Sequence, residues 1–190
     1  MKKLLTRLLT LLLVIFAAIT VRAGNIASGS VGNGGTWSIS DGGELYVDAV
    51  TIPSYNKQSF PMGDSEYYVV GNRRQMWLRE RTLAPWGTYA DKIHRIRFSS
   101  NVKRIGVNAF AGLTKLGSVS FDARNTINIV IEARAFSSCF NLSNFDFSHV
   151  MEIGDFAFEN AAFTKVTLPA VNTMAISAFA NCYDLFGKPD

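Results

Sequence analysis

The side chains best suited to chemistry are few in this sequence of 190 residues. Its two histidines are His94, which lies on the solvent-facing side of a predicted strand, and His149, which follows a serine in a predicted turn. Neither has a cysteine, aspartate or glutamate at the spacing that metal ligands need. The sequence also has no nucleophile-elbow, phosphate-loop or zinc-protease motif. We therefore predict no catalytic residue, no metal site and no cofactor.

A basic segment between Gly71 and Arg104 is the next candidate for a functional site. It holds nine basic residues against Glu80 and Asp91, with tryptophans among them. Such a segment is suited to an acidic partner, either a sulfated glycan or an acidic protein face. The alternative is a solvated loop followed by solvent-facing strand positions. The candidate partner-binding residues are Arg73, Arg74, Trp77, Arg79, Arg81, Arg95 and Arg97.

Residues 1–23 have the three parts of a secretory signal peptide. A positively charged start is followed by an apolar stretch from Leu8 to Val21 and by the small residue Ala23. This order predicts export and cleavage between Ala23 and Gly24. The alternative is an amino-terminal membrane anchor, although the stretch is short compared with the about 20 residues that span a bilayer.

The overall charge reflects this amino-terminal segment. The formal net charge is +4, and residues 1–23 contribute four basic residues and no acid, so the exported chain is neutral. A neutral chain offers no general electrostatic attraction for nucleic acid. We expect the mature protein to be secreted, periplasmic or displayed at the cell surface, without stable insertion in a membrane.

An alanine–phenylalanine pair recurs four times in the second half of the chain. The phenylalanines Phe110, Phe136, Phe158 and Phe179 are 26, 22 and 21 residues apart, and an apolar residue stands five positions before each. A period in the twenties with recurring apolar positions is typical of a leucine-rich-repeat solenoid. The predicted repeat core is Ile105, Phe110, Leu116, Ile131, Phe136, Leu142, Ile153, Phe158, Phe163, Met174, Phe179 and Leu185.

The four frames resemble the BspA-like leucine-rich repeats of secreted and surface proteins of anaerobic bacteria. The resemblance is carried by residues 105–110, 131–142, 153–158 and 178–185 and covers roughly residues 93–185. The third frame departs from the pattern, because Ala161 stands where the second and fourth frames have cysteine and the frame is one residue shorter before Phe163. The resemblance implies a right-handed solenoid that attaches to host extracellular matrix proteins or to other bacteria.

Each pair is followed by a short run of alternating apolar and polar residues, which predicts one half-buried strand per repeat. The first such strand is residues 93–98, and the later ones contain Val119, Phe145 and Val166. Stacking these strands gives a parallel ladder with about 4.8 Å per repeat, and the pair phenylalanines then form a spine in the core. The outward positions expected to meet a partner are Ser118, Ser120, Asn144, Asp146, Lys165 and Thr167.

The two cysteines are not expected to form a disulfide. Cys139 and Cys182 hold equivalent places two repeats apart, hence about 10 Å along the ladder. A disulfide requires Cα atoms within about 7 Å. We therefore predict two small, buried, apolar side chains.

The two ends of the array are predicted to differ. Residues 24–92 should form a β-rich cap with an insertion, in which 37–39 and 45–47 make a hairpin around the turn at 41–43. Residues 93–190 should form the array, and only five residues follow Leu185. A final repeat without a cap leaves apolar surface in water. The residues expected to stay partly exposed are Met174, Ile176, Phe179, Leu185 and Phe186.

The sequence thus predicts a leucine-rich-repeat solenoid of short parallel strands with irregular or helical returns, preceded by a cap that contains a β-hairpin. Its predicted function is an exported binding or adhesion module for a host or bacterial surface protein, or for an acidic glycan. The alternative is a short or truncated repeat protein that acts by self-association through its carboxy-terminal repeat, or by assembly with a larger surface protein.

Overall fold

A computed structural model describes residues 24–55, 68–70, 73–75, 84–123 and 128–186. The predicted signal segment and the cleavage point after Ala23 lie outside these ranges, apart from Gly24 itself. In the part of the chain that is described, no helix has the length and apolar character needed to cross a membrane.

The amino-terminal region forms three antiparallel strands, β1 (Asn25–Val31), β2 (Gly35–Ser40) and β3 (Glu44–Asp48). Strands β2 and β3 are the predicted hairpin, and Trp37 pairs with Val47 across it. The turn requires glycine at Gly43, because φ is +74° there and a Cβ would lie 2.6 Å from the Lys92 carbonyl oxygen. Strand β1 was not predicted, since its glycine, alanine and serine residues show no apolar alternation and most of it is exposed.

Ten further strands and one α-helical turn follow within the described residues. They are β4 (Thr51–Ile52), β5 (Tyr68–Val70), β6 (Arg73–Gln75), β7 (Arg95–Phe98), β8 (Arg104–Ile105), β9 (Ser118–Phe121), β10 (Ile129–Ile131), β11 (Asn144–Phe145), β12 (Val150–Ile153), β13 (Thr173–Met174) and α1 (Tyr183–Phe186). Strands β5 and β6 form a two-stranded antiparallel sheet of their own. A 3₁₀ turn at Gly87–Tyr89 precedes β7.

Two sheets enclose the core. Sheet A has the strand order β1-β2-β3-β7-β9-β11, and sheet B has the order β4-β8-β10-β12-β13. All pairs from β3 onward in sheet A and all pairs in sheet B are parallel. The solenoid fold is therefore confirmed, and its parallel ladders begin at β3 and β4, earlier in the chain than residue 93.

Sheet B is the part of the ladder that the sequence did not reveal. The apolar residue five positions before each pair phenylalanine lies on one of its strands, so Ile105, Ile131, Ile153 and Met174 are in register, with Ile52 ahead of them. These strands have only two to four residues, too few to show an alternating pattern. The predicted irregular returns therefore each include a second short strand.

The turns between the sheets share one backbone feature. The second residue after each pair phenylalanine has a positive φ, with 78° at Gly112, 61° at Ser138, 62° at Asn160 and 58° at Asn181. Glycine and asparagine adopt this left-handed conformation with little penalty, whereas most residues do not. The feature explains why three of the four frames have Gly or Asn at this position.

The pair phenylalanines form a continuous stack of parallel rings. Centroid distances are 5.2 Å from Phe110 to Phe136, 5.5 Å from Phe136 to Phe158 and 5.2 Å from Phe158 to Phe179, with interplanar angles of 14°, 2° and 11°. All four rings are buried. Each phenylalanine before the last also donates its backbone N–H to the pair alanine of the next repeat, at 2.8 Å. The spine therefore combines ring stacking with a ladder of hydrogen bonds.

Trp86 takes the place of a preceding repeat at the start of this spine. Its ring stacks on Phe110 with a centroid distance of 4.9 Å and an angle of 9°. Its indole N–H donates to the Ala109 carbonyl at 2.9 Å, which is the acceptor that a preceding pair phenylalanine would otherwise use. Trp37 and Tyr55 pack edge-on against the same indole. Trp86 thus closes both the ring stack and the hydrogen-bond ladder.

The carboxy-terminal frame differs from the predicted core. The pattern placed Met174 among the core residues, but it is 47% exposed. Although β13 puts Met174 in register with the anchor isoleucines, no described strand pairs beyond β13 to cover it. Ile176 is fully exposed, and Leu185 is half-buried. Phe179 was expected to stay partly exposed, yet it is 7% exposed because Phe147, Phe158 and Phe163 surround its ring.

The other predicted core residues are buried. They are Ile105, Phe110, Leu116, Ile131, Phe136, Leu142, Ile153, Phe158 and Phe163.

The strand predicted around Val166 is absent, which corrects the sequence interpretation. Residues 163–171 make no backbone hydrogen bond with any other described residue. Val166 and Leu168 remain half-buried against the core, so the segment stays close to the repeats without joining sheet A.

The short third frame accounts for this difference. In the first two frames, the residue seven positions after the pair phenylalanine is the first to hydrogen-bond to the preceding repeat along sheet A. In the second frame this residue is Ser143, which donates its N–H to the Gly117 carbonyl at 3.2 Å. In the third frame Ala162 already donates to the Leu142 carbonyl at 2.9 Å, only four positions after Phe158. The third frame therefore hydrogen-bonds to the preceding repeat at an earlier position than the first two frames do, and the residues that follow do not join sheet A.

Both cysteines are free and buried. The Cys139 thiol donates to the Phe110 carbonyl, and the Cys182 thiol donates to the Phe158 carbonyl, each at 3.2 Å. Burial raises the pKa of Cys139 to about 12 and also raises the pKa of Cys182. Each thiol therefore links its frame to an earlier pair phenylalanine as a neutral donor.

We predict that neither thiol reacts with an aromatic disulfide reagent at pH 8 in the folded protein, because the reactive thiolate is scarce and access is blocked. Both should react in concentrated urea. On slow opening Cys182 should react before Cys139, since its frame is the outermost one described. Mass spectrometry of timed quenches gives the order, and rapid labelling of folded Cys139 would contradict the packing.

Candidate binding surface

The side chains that point away from the core along sheet A form one surface, which we call the outer face. Register across β3, β7, β9 and β11 places its polar side chains in rows. One row contains Glu44, Arg95, Ser118 and Asn144, and the next contains Tyr46, Arg97 and Ser120, with Asp146 following on the alternation. Between them, the inward residues such as Leu45, Ile96 and Val119 are buried. The outer face is thus a regular array of polar side chains on a rigid sheet.

Arg97 is the centre of a preorganised cluster on this face. Its guanidinium donates to Glu44 at 3.2 Å and to Asp122 at 3.0 Å, and it lies 4.5 Å from the ring centroid of Tyr46. The Tyr46 hydroxyl donates to the second oxygen of Asp122 at 3.3 Å. The Arg97 side chain remains 44% exposed. A partner would therefore meet an arginine and a tyrosine that are already held in place.

Protonation states within the cluster follow from these contacts. Burial, with smaller contributions from Asp122 and Asp48, raises the pKa of the Tyr46 hydroxyl, which stays neutral at physiological pH. Partial burial would lower the pKa of Arg97, but its hydrogen bonds to Asp122 and Glu44 outweigh burial and raise it. The Arg97 guanidinium therefore stays charged and the Tyr46 hydroxyl stays protonated near neutral pH.

The predicted basic site is divided by the structure. Arg95 and Arg97 are neighbours on β7, and Arg95 has no ion pair with any described residue. Arg73 and Arg74 lie on β6, in the separate two-stranded sheet. Trp77, Arg79 and Arg81 lie outside the described residues. Trp86, a tryptophan of the predicted basic segment, is buried in the core.

The charge of the outer face does not match an acidic ligand. Its described carboxylates are Glu44, Asp48, Asp122 and Asp146, against the guanidiniums of Arg95 and Arg97. Because Glu44 and Asp122 already pair with Arg97, Arg95 is the less compensated of the two cations. Attraction of a sulfated glycan would therefore depend on Arg73, Arg74, Arg79 and Arg81 and stays a prediction.

A second polar cluster, around Glu132, lies beside sheet B. The Glu132 carboxylate accepts from Ser54 at 3.0 Å, from the Val107 N–H at 3.1 Å and from Arg104. These contacts join three successive turns of the solenoid, so their role is structural. The cluster was missed because Ser54 and Glu132 are 78 residues apart in sequence.

The described residues contain no group of three or more histidine, cysteine, aspartate or glutamate side chains that could hold a metal ion. On the outer face, the Asp122 carboxylate accepts from Tyr46 and Arg97. What the arrangement can do is present a fixed polar surface to a partner.

The repeats match a family model described as the BspA type leucine-rich repeat region, in six copies over residues 88–186. The chain belongs to this family. The model counts six copies where four frames were read from the sequence, and all six lie within the matched range. Strands β3 and β4, where the parallel ladders begin, precede that range.

Two solved structures are similar to this chain. One is a leucine-rich repeat protein from Eubacterium ventriosum, with 17% identity and a TM-score of 0.54 over 84% of this chain and 42% of that chain. The other is a leucine-rich cell surface protein from Faecalibacterium prausnitzii, with 14% identity and a TM-score of 0.34 over 85% of this chain and 54% of that one. The first supports the shared fold, and this chain spans about half the length of both. No curated protein matches this chain significantly.

Proposed function

We propose that this BspA-type protein is an exported binding module that attaches to a protein on a host or bacterial surface. The outer face of sheet A is the surface we assign to this attachment. The observation that carries the proposal is the Arg97 cluster, in which two carboxylates and the Tyr46 ring hold an exposed guanidinium.

Physical reasons support a binding role for such a cluster. Arginine and tyrosine are enriched among the residues that dominate protein interfaces. Because their rotamers are already held by neighbours, less side-chain entropy is lost when a partner binds. The surrounding short side chains, such as Ser118 and Ser120, leave room for a partner to approach the sheet closely.

Export and the absence of catalysis are parts of the same proposal. The segment before Gly24 has the pattern of a signal peptide, and both similar structures are bacterial leucine-rich repeat proteins, one of them a cell surface protein. Amino-terminal sequencing of protein recovered outside the cytoplasm should begin at Gly24. An intact Met1 in the membrane fraction would favour the anchor instead.

An array of host matrix proteins, bacterial surface proteins and glycans tests the binding role. The mature protein should bind at least one protein, and Ser120→Arg should weaken that binding by about tenfold or more, since it places a bulky cation beside Arg97. Thr173→Arg is the matched control, because Thr173 is an exposed hydroxyl residue on sheet B. Equal loss in both variants, with equal thermal midpoints, would contradict the assignment of the outer face.

Self-association is the second candidate function, and the exposed end of the array favours it. Met174, Ile176 and Tyr183 are 47%, 106% and 44% exposed, and exposed apolar residues beside a strand edge tend to pair with another chain. Light scattering after size exclusion at about 100 μM, a concentration that reveals weak dimers, tests it. Ile176→Glu should restore a monomer, whereas a monomeric wild-type protein would remove this candidate.

A further inference from the structure

The outer edge of β11 is unpaired, and a cavity lies beside it. The cavity has a volume of about 300 Å³, and its lining includes Asn144, Phe145, Phe147, Phe163 and Lys165. It occupies the position where the third repeat would have supplied the next strand of sheet A. A water molecule accounts for about 30 Å³ of liquid, so the space can hold a side chain of a ligand.

The backbone of Phe145 faces this cavity. Asn144 and Asp146 donate their N–H groups toward β9, to Gly117 at 3.2 Å and to Val119 at 3.1 Å. Because successive residues of a strand direct their N–H and C=O groups to opposite edges, Phe145 directs its own groups away from β9. The opposite wall belongs to residues 163–167, which make no backbone hydrogen bond with Phe145. One donor and one acceptor are thus available to an added strand.

The side chains around the cavity specify what the added strand should carry. The core side is aromatic, since Phe145, Phe147 and Phe163 are buried there with ring centroids 4.6 to 5.8 Å apart along the series. At the outer side Lys165 is exposed and forms no ion pair with any described residue. An apolar residue would therefore fit inward and an acidic residue outward. Adjacent residues of a strand point to opposite faces, so one dipeptide can satisfy both.

We propose that the edge of β11 binds an extended segment of a partner protein by β-strand addition, with an apolar residue next to an acidic one. The Phe145 backbone pairs with the segment, the apolar side chain enters the cavity over Phe147 and Phe163, and the acid pairs with Lys165. Strand addition of this kind takes affinity from main-chain hydrogen bonds and specificity from side-chain pockets. The inference rests on the proposed protein-binding role and adds a second contact at the end of the outer face.

A labelled, end-capped heptapeptide of alternating valine and glutamate is the probe, measured by fluorescence anisotropy with the mature protein. We expect saturable binding, and binding about tenfold weaker or worse for the valine–lysine peptide. Lys165→Glu should reverse this preference, whereas Lys115→Glu, at an exposed lysine in another frame, should leave it unchanged. A valine–glutamate peptide N-methylated at every amide should not bind, because it has no N–H to donate to the Phe145 carbonyl.

A second variant tests the cause of the open edge. Inserting one asparagine between Ala162 and Phe163 gives the third frame the length of the second, so that its own strand can pair with β11 and close the site. The insertion should abolish peptide binding while circular dichroism shows at least as much β structure as the wild type. A wild-type protein that binds no alternating peptide at about 1 mM, the weakest end of specific recognition, would overturn the proposal.

The remaining outcomes separate this site from the proposed function. The insertion variant could still bind its array partners while Lys165→Glu keeps the charge preference of the wild type. These two results together would overturn the β11 site but would still support the outer face as the binding surface. The protein could also form dimers that the insertion removes but the valine–glutamate peptide does not dissociate. This result would assign the β11 edge to a second copy of the chain, and it would overturn the proposed peptide site. Peptide binding with the predicted reversal, but no array partner, would support the site and count against the outer face.

Discussion

Replacing Phe158 with alanine should lower the free energy of unfolding by about 3–5 kcal/mol, the usual cost of emptying a buried aromatic site. Phe158 contacts more rings than any other described spine residue. It stacks on Phe136 and Phe179 and packs edge-on against Phe145, Phe147 and Phe163, all at 5.0 to 5.7 Å between centroids. Because these neighbours come from three repeats, the lost contacts cannot be recovered by a local shift.

Urea denaturation of three variants tests this prediction. Phe136→Ala should fall in the same range, since its ring stacks on both sides and packs against Phe145. Lys165→Ala, at an exposed position, should change stability by less than about 0.5 kcal/mol. Equal losses in the three variants would mean that the register of the spine is wrong.

The spine and the first ladder could be predicted because their signals are strong and local. An alanine–phenylalanine pair at a nearly constant period can only be satisfied by stacking the repeats, and the alternation around Ile96 and Val119 indicates which face is inward. The glycine turn at 41–43 similarly indicated the hairpin. The turn and the alternation are each visible within one short segment, and the pair is visible because it recurs four times.

The features that the sequence did not reveal depend on contacts between distant residues or on very short elements. Sheet B has strands of two to four residues, which is too short for periodicity to register. Val166 and Leu168 have the alternation of a strand, yet the one-residue deletion before Phe163 removes them from sheet A. A pattern of residue types carries no information about whether the preceding turn has the length needed to reach the ladder.

The candidate surface was predicted in part for the same reasons. Ser118, Ser120 and Asn144 follow from alternation, and the structure places them on the outer face. The pairing of Arg97 with Glu44 and Asp122 could not be foreseen, because these partners are 53 and 25 residues away in sequence. Counting arginines along the chain therefore overstated the positive charge that a ligand would meet.

Replacing Trp86 with alanine should lower the free energy of unfolding by about 3–5 kcal/mol. Comparing Trp86→Phe with Trp37→Phe should show how much of this loss comes from the indole hydrogen bond. Trp86→Phe keeps a ring on Phe110 but leaves the Ala109 carbonyl without its 2.9 Å donor. A buried acceptor left unpaired costs about 1–3 kcal/mol. Trp37 is also buried, but its indole N–H has no hydrogen-bond partner among the described residues.

The comparison between the two tryptophans isolates the hydrogen bond, because both substitutions remove the same atoms from buried sites in contact with each other. Trp86→Phe should therefore be less stable than Trp37→Phe by about 1–3 kcal/mol in urea melts. Similar stability of the two variants would show that Trp86 closes the solenoid by ring stacking alone. A clear difference would mean that the first repeat needs an N–H donor in the place where every later described repeat uses the amide of a phenylalanine.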